Sequence, residues 1–251
     1  MARASAQAAL QLDADLTVDV DVLEGFMLMH QQQWLASEQR LLSALQQNPQ
    51  HILAHYWYSW LLSQRGDFAQ ALSHIREVVR MEPFSAVFND RLALAYLWLN
   101  QNEAAGEQYE MAGQLGYLES TQPKPYILYA LRMGKYDTIR SLLGRQGMTG
   151  AWVDSFVNGL QYPAERAKNV PVLENAMRNG EIPRIFWFGM WVLYQDADHA
   201  VESFDPSFLT QDIELLWAAE AEFLRRDPRF PELLKLVNLE PPARRADSVN
   251  E

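Results

Sequence analysis

The chain has 251 residues, 49% hydrophobic and 12% aromatic, enough for one large domain or a short array with a substantial core. It has no cysteine, which excludes a disulfide framework, a thiolate zinc site, an iron–sulfur cluster and a cysteine nucleophile. Its 21 Lys+Arg against 32 Asp+Glu leave a net charge of −11, which argues against direct nucleic-acid binding, because counterion release needs lysines and arginines.

Membrane insertion is not expected, since no apolar run reaches spanning length, and residues 1–13 lack the apolar centre of a signal peptide. Residues 5–15 read as the last helix of an earlier unit, so 1–17 are expected to be the tail of something longer. From there the chain repeats itself every 34 residues. Gly25, Ser59 and Ala93 fall in register and are small, and Leu28, Leu62 and Tyr96 are large. Ser37, Ala71 and Ala105 are small again, Leu41, Ile75 and Tyr109 large, and Ala44, Val78 and Ala112 small to medium. This pattern predicts two antiparallel helices per unit, crossing closely where the residues are small. The turn between the helices falls at Gly66, whose counterparts are Gln32 and Asn100, and Pro49 and Pro83 stop the second helix. Units are expected at 18–51, 52–85 and 86–119. Degenerate pairs follow over 120–204: a fourth over 124–146, a fifth with helices at 152–160 and 164–179, and a sixth with helices at 184–194 and 197–204. Gly134 lies two periods beyond Gly66. Residues 211–224 read as an amphipathic helix within a cap over 205–239, and 240–251 as a disordered tail.

The stretch 52–85, with Gly66-Asp67-Phe68 ahead of Ala71, Ile75, Val78 and Pro83, resembles a tetratricopeptide repeat. The resemblance implies an all-α, right-handed superhelix of antiparallel helix pairs, an α-solenoid. A narrower resemblance rests on two stretches. One is Tyr56-Trp57-Tyr58-Ser59-Trp60-Leu61 with Pro83-x-Ser85-x-x-x-Asn89. The other is Leu224-Arg225-Arg226-Asp227-Pro228-Arg229-Phe230 with Leu233, Leu234 and Leu239. These are similar to the repeat region of bacterial winged-helix transcription regulators and of some class III adenylate cyclases and serine/threonine kinases. That implies the regulatory part of a larger signalling protein, whose output domain is supplied elsewhere.

In this fold the first helix of each pair lines the concave face. Its inward positions give Val22, Phe26, Met29 and His30, then Tyr56, Trp60 and Gln64, then Asp90, Leu94 and Trp98. Such anchors suit a protein or peptide segment with apolar or aromatic side chains; the alternative is that several of them pack unit on unit. The lysine and asparagine set that clamps a C-terminal carboxylate in chaperone-binding relatives is absent. Asp13, Asp15, Thr17, Asp19, Asp21 and Glu24 follow a calcium-loop spacing, but Val18 stands where the loop needs glycine, and an acidic helix start explains them better. His51 and His55 are four apart without a third ligand. Arg225, Arg226 and Arg229 read as compensation of a helix end. No cofactor, metal site or catalytic set is expected. The alternatives are a free-standing scaffold or assembly subunit, and an enzyme using Trp152, Phe186, Trp187, Trp191 and Trp217 around a pocket. The expected compartment is the cytoplasm, or the periplasm for a membrane-anchored regulator; the oligomeric state is left open.

Overall fold

The computed structural model describes residues 17–117, 123–208 and 212–240, and among these there are helices and turns but no strand. The expected helix over 5–15 and the tail beyond 240 lie outside the described residues. The first three pairs are α1 (Thr17–His30) with α2 (Trp34–Gln47), α3 (Ile52–Gln64) with α4 (Phe68–Met81), and α5 (Ala86–Trp98) with α6 (Asn102–Gln114). A fourth pair, α7 (Pro123–Arg132) with α8 (Tyr136–Arg145), has shorter helices. Each helix packs on its sequence neighbours, and α1 also touches α3, as expected of a stacked array.

Local chemistry sets the boundaries. His51 accepts the Ala54 N–H at 3.1 Å at the head of α3, and Asp67 accepts the Gln70 N–H at 3.4 Å at the head of α4. Asn89 donates from Nδ2 to the carbonyls of Pro83 and Ser85, both at 2.8 Å, which fixes the entry to α5. The intervening turns keep the period in backbone geometry. Gln32 (φ 55°), Gly66 (φ 79°), Asn100 (φ 59°) and Gly134 (φ 65°) are all left-handed. At each, the following N–H reaches back to close the helix: Gln33 to Leu28 (2.9 Å), Asp67 to Leu62 (2.9 Å), Gln101 to Tyr96 (3.0 Å) and Lys135 to Ala130 (2.8 Å). The register thus extends into the fourth pair.

The small residues sit where the period places them. Ser59 and Ala93 are buried, as are Ser37, Ala71 and Ala105 and the set Ala44, Val78 and Ala112. A Cβ added to Gly25 would lie 2.7 Å from Leu41 Cγ, so α1 and α2 cross with no room for a methyl group. Asp21 and Glu24 are buried and pair with Arg40 of α2 at 2.9 and 3.0 Å.

Beyond residue 150 come α9 (Ala151–Gln161), α10 (Arg166–Arg178), α11 (Trp187–Tyr194) and α12 (Ala197–Ser203), interrupted by 3₁₀ turns at Pro163–Glu165 and Arg184–Phe186. The last segment corrects one expectation. Instead of a single helix over 211–224 there are α13 (Asp212–Leu215), a 3₁₀ turn at Ala219–Ala221 and α14 (Glu222–Arg225), followed by α15 (Phe230–Leu236). Residues 213–216 are all buried, Glu214 included, so no polar face is left to solvent. Trp217 turns its ring onto Gly66, and Arg225 donates to the carbonyls of Leu216 and Ala218, both at 2.8 Å, groups that a continuous helix would have used itself.

Candidate functional site

The residues expected on the concave face fall into four settings. Val22 is buried in a small cluster with Ala44 and Ala54. Phe26 is half-buried between His30 and Trp57, with ring centroids 4.2 and 4.4 Å away. These residues hold α1 to α3.

Tyr56 and Asp90 belong to a polar cluster at the joint between the third and fourth pairs. Asp90 of α5, 7% exposed, accepts the Tyr126 hydroxyl of α7 at 3.1 Å and is also hydrogen-bonded by Tyr117. Burial pushes its carboxyl up to about 6, against the pull of the two tyrosine hydroxyls and of Arg91. Burial likewise raises Tyr56, to about 12, and raises Tyr109, whose ring lies 4.2 Å from that of Tyr126.

The third setting is a clasp. Gln64 and Trp98 both bind Glu214, which the chain brings back from its C-terminal segment. Glu214 is 1% exposed. Its oxygens accept from Gln64 Nε2 (3.2 Å), Trp98 Nε1 (2.6 Å) and Arg91, whose Nη1 lies 3.0 Å from Oε1. Burial raises the Glu214 pKa, opposed by the Arg91 charge and by these hydrogen bonds. Arg91 also donates to Ser63 Oγ (2.7 Å) and lies 5.0 Å from the Trp60 ring. Around the clasp, the Trp217 indole donates to Gln64 O (2.8 Å), Arg132 of α7 grips Glu220 through two bonds (2.8 and 2.7 Å), and the Trp34 indole donates to Val237 O (2.7 Å). Residues 212–239 therefore lie against α2, α3, α5 and α7. Sequence reasoning missed Arg91 and Arg132; for Arg91 the available signal was its place directly before the uncharged apolar run from Leu92 to Leu99, and Arg132 carries no such signal.

The fourth setting is open. Met29, His30, Trp34, Trp60, Gln64 and Pro206 bound a cleft of about 210 Å³ between the first two pairs. His30 is exposed and bonds through Nδ1 to Phe26 O at 3.0 Å. The Trp60 ring stacks on Trp57 at 5.5 Å. Leu94 and Trp98 line a second, apolar pocket of about 50 Å³ with Leu128, Phe156 and Met190, to whose wall Glu214 and Leu215 also contribute. Of the five aromatics considered for an enzyme pocket, Phe186 lines this cavity. Trp152 and Trp191 are buried in the core, and Trp187 donates to Ile182 O at 2.9 Å.

His51 pairs with Asp19 at 3.0 Å, and His55 turns to His74 at 2.7 Å. Among the described residues no group of three or more histidine, aspartate or glutamate side chains is placed to hold a metal ion. Thr17 to Glu24 is helical, and Asp13 and Asp15 lie outside the described residues. Arg226 pairs with Glu222, and Arg229 with Asp227 and Asp198. Among the described residues no helix is long and apolar enough to cross a membrane.

No family model and no curated protein sequence matches the chain. Among solved structures it is similar to a tetratricopeptide repeat protein from Parabacteroides merdae ATCC 43184, at 15% identity and a TM-score of 0.56, over 94% of this chain and 91% of that one. With its consecutive helix pairs and left-handed turns in register, the chain has the fold of a tetratricopeptide-type α-solenoid.

Proposed function

We propose that the chain is a non-enzymatic protein-interaction module that seats an apolar or aromatic side chain of a partner segment in the cleft bounded by Met29, His30, Trp34, Trp60 and Gln64. The observation that carries this reading is the cleft itself, about 210 Å³ of open space with two tryptophans and a methionine in its walls. Aromatic walls with a few polar groups at the rim are what a side-chain anchor needs. The finer reading, a sensor within a larger signalling or transcription-regulating protein, is supported by the resemblance of the stretch from Leu224 to Leu239 to the closing motif of such regulators.

Benzoylphenylalanine in place of His30 tests the cleft, with the same probe in place of Met111, an exposed residue of α6, as the control. Irradiation in cells should cross-link discrete partners at position 30 and not at 111. Trp60→Ala should reduce that yield roughly 30-fold while helical content is kept, the size expected for a central aromatic anchor. Equal cross-linking at both positions, or a yield indifferent to Trp60, would remove the assignment.

A further inference from the structure

Residues 212–226 are built as a ligand rather than as another helix pair. Their two helices, α13 and α14, have four residues each, whereas α1 to α6 have 13 or 14. Local hydrogen bonding contributes little to so short a helix. What holds the segment is the burial of Ile213, Leu216, Ala218, Ala221 and Leu224, together with side chains reaching from earlier helices: Gln64 of α3, Arg91 and Trp98 of α5, and Arg132 of α7.

Two of the four carboxylates of the segment, Glu214 and Glu220, are each met by one of these arginines. Arg91 and Arg132 are only 5% and 8% exposed in their side chains, within a chain of net charge −11. An arginine is costly to bury unless a carboxylate accompanies it. A concave face that keeps two of them is therefore fitted to acidic residues, and the forked geometry at Glu220 makes the fit directional. Ile213 ahead of Glu214, and Leu215 and Leu216 between the two carboxylates, are buried, and the Trp217 ring covers Gly66. Gln64 joins this clasp to the open cleft, because it lines the cleft and donates to Glu214.

We propose that residues 212–226 are a built-in ligand of the concave face, displaced by partner segments that carry two carboxylates about six residues apart among aliphatic and aromatic side chains, read by Arg91 and Arg132. This rests on the concave face being the recognition surface. It names the chemistry of the partner beyond the single anchor in the cleft. While the segment is attached, its high effective concentration holds competitors off, and a partner must match its acids to replace it.

The test uses the full chain and a fluorescein-labelled synthetic peptide with the sequence of residues 212–226. The peptide should bind a Glu214→Gln/Glu220→Gln chain about tenfold or more tighter than the unaltered chain, because the attached segment then competes poorly. A peptide carrying Glu214→Gln and Glu220→Gln should bind that variant about tenfold more weakly, and adding Arg91→Met to the variant should abolish the preference. Absence of peptide binding to a variant of normal helical content, or equal binding of the acidic and glutamine peptides, would overturn the proposal. Should the double variant lose its helices, hydrogen exchange on the unaltered chain decides. Amides of 212–226 should exchange about tenfold faster than those of α3, and equal protection would make the segment a fixed part of the core. Loss of cross-linking at position 30 with peptide binding intact removes the cleft reading alone; the converse removes this proposal alone.

Discussion

From Thr17 to Arg145 one backbone conformation returns every 34 residues, at Gln32, Gly66, Asn100 and Gly134, and helices meet over glycine, serine and alanine. From Ala151 onward the helices shorten and 3₁₀ turns interrupt them. The largest fully buried side chains, Trp152, Trp191 and Phe156, all lie in this later region, whereas the earlier one fills its interior with Leu41, Leu61, Ile75 and Leu97. The first region brings backbones close at the small residues and keeps its buried rings, such as Trp34, Tyr58, Phe68 and Trp98, at 6–8% exposure. The second leaves irregular gaps and fills them with rings, since large aromatics bury the most area per residue. The segment 212–239 ties the two together through the clasp on α3, α5 and α7.

The contrast predicts that the later region depends on single large residues. Trp191 is 2% exposed, stacked on His199 at 4.3 Å and edge-on to Tyr194. Trp191→Ala should cost about 3–5 kcal/mol in urea unfolding followed by circular dichroism. Because the C-terminal segment links both regions, the loss should appear in one transition shifted to lower urea. Two separate transitions would show that the regions unfold independently, and would break the picture of a joined core.

Asp90 probes the joint itself, since its partners Tyr117 and Tyr126 flank the passage from the third pair to the fourth. Burial holds its carboxyl near 6, above the ordinary 3.8. Between these values the folded chain keeps a proton that the unfolded chain has released, so stability from this group is present below about pH 4 and falls as pH rises towards 6. Asp90→Asn removes the charge yet keeps an oxygen for the tyrosine hydroxyls. It should flatten this dependence and raise stability at pH 7 by on the order of 2 kcal/mol. Urea unfolding of both proteins at pH 4.5 and 7 measures the difference, and identical slopes would mean that the joint does not hold a buried ionisable acid.

The helix pairs were legible because size at spaced positions is a property of the sequence alone: Leu41, Ile75 and Tyr109 had to be large for the same geometric reason. Even the left-handed turns were readable, since Gln32 and Asn100 stand in the register of Gly66. The clasp was not legible. Glu214 meets Arg91 and Trp98 more than a hundred positions away, and nothing local to residues 211–224 distinguishes an acid facing water from one facing a buried guanidinium. Read locally, that stretch is an amphipathic helix; only its packing partners break it. The concave residues divide for a similar reason. Periodicity places Gln64 and Trp98 inward, but it carries no information about whether the space before them is empty.

The smallest effects test how far close approach governs the regular region. Gly25 faces Leu41, and an added methyl group would meet its Cγ and Cδ2 at 2.7 and 2.9 Å. Gly25→Ala should therefore cost about 1–3 kcal/mol, less the few tenths that alanine returns through helix propensity. Ser59 and Ala93 carry a Cβ at the equivalent crossings, so the first pair is the tightest of the three. Leu41→Val in the same chain should recover part of the loss, because it removes one of the two atoms in conflict. Gly113→Ala on α6 supplies the contrast: nothing lies within 4 Å of the added carbon, and a gain of about 0.5 kcal/mol is expected. If the two alanines behave alike in thermal unfolding, backbone approach does not set the first crossing. The tolerance of that array would then have to come from adjustment of Leu41.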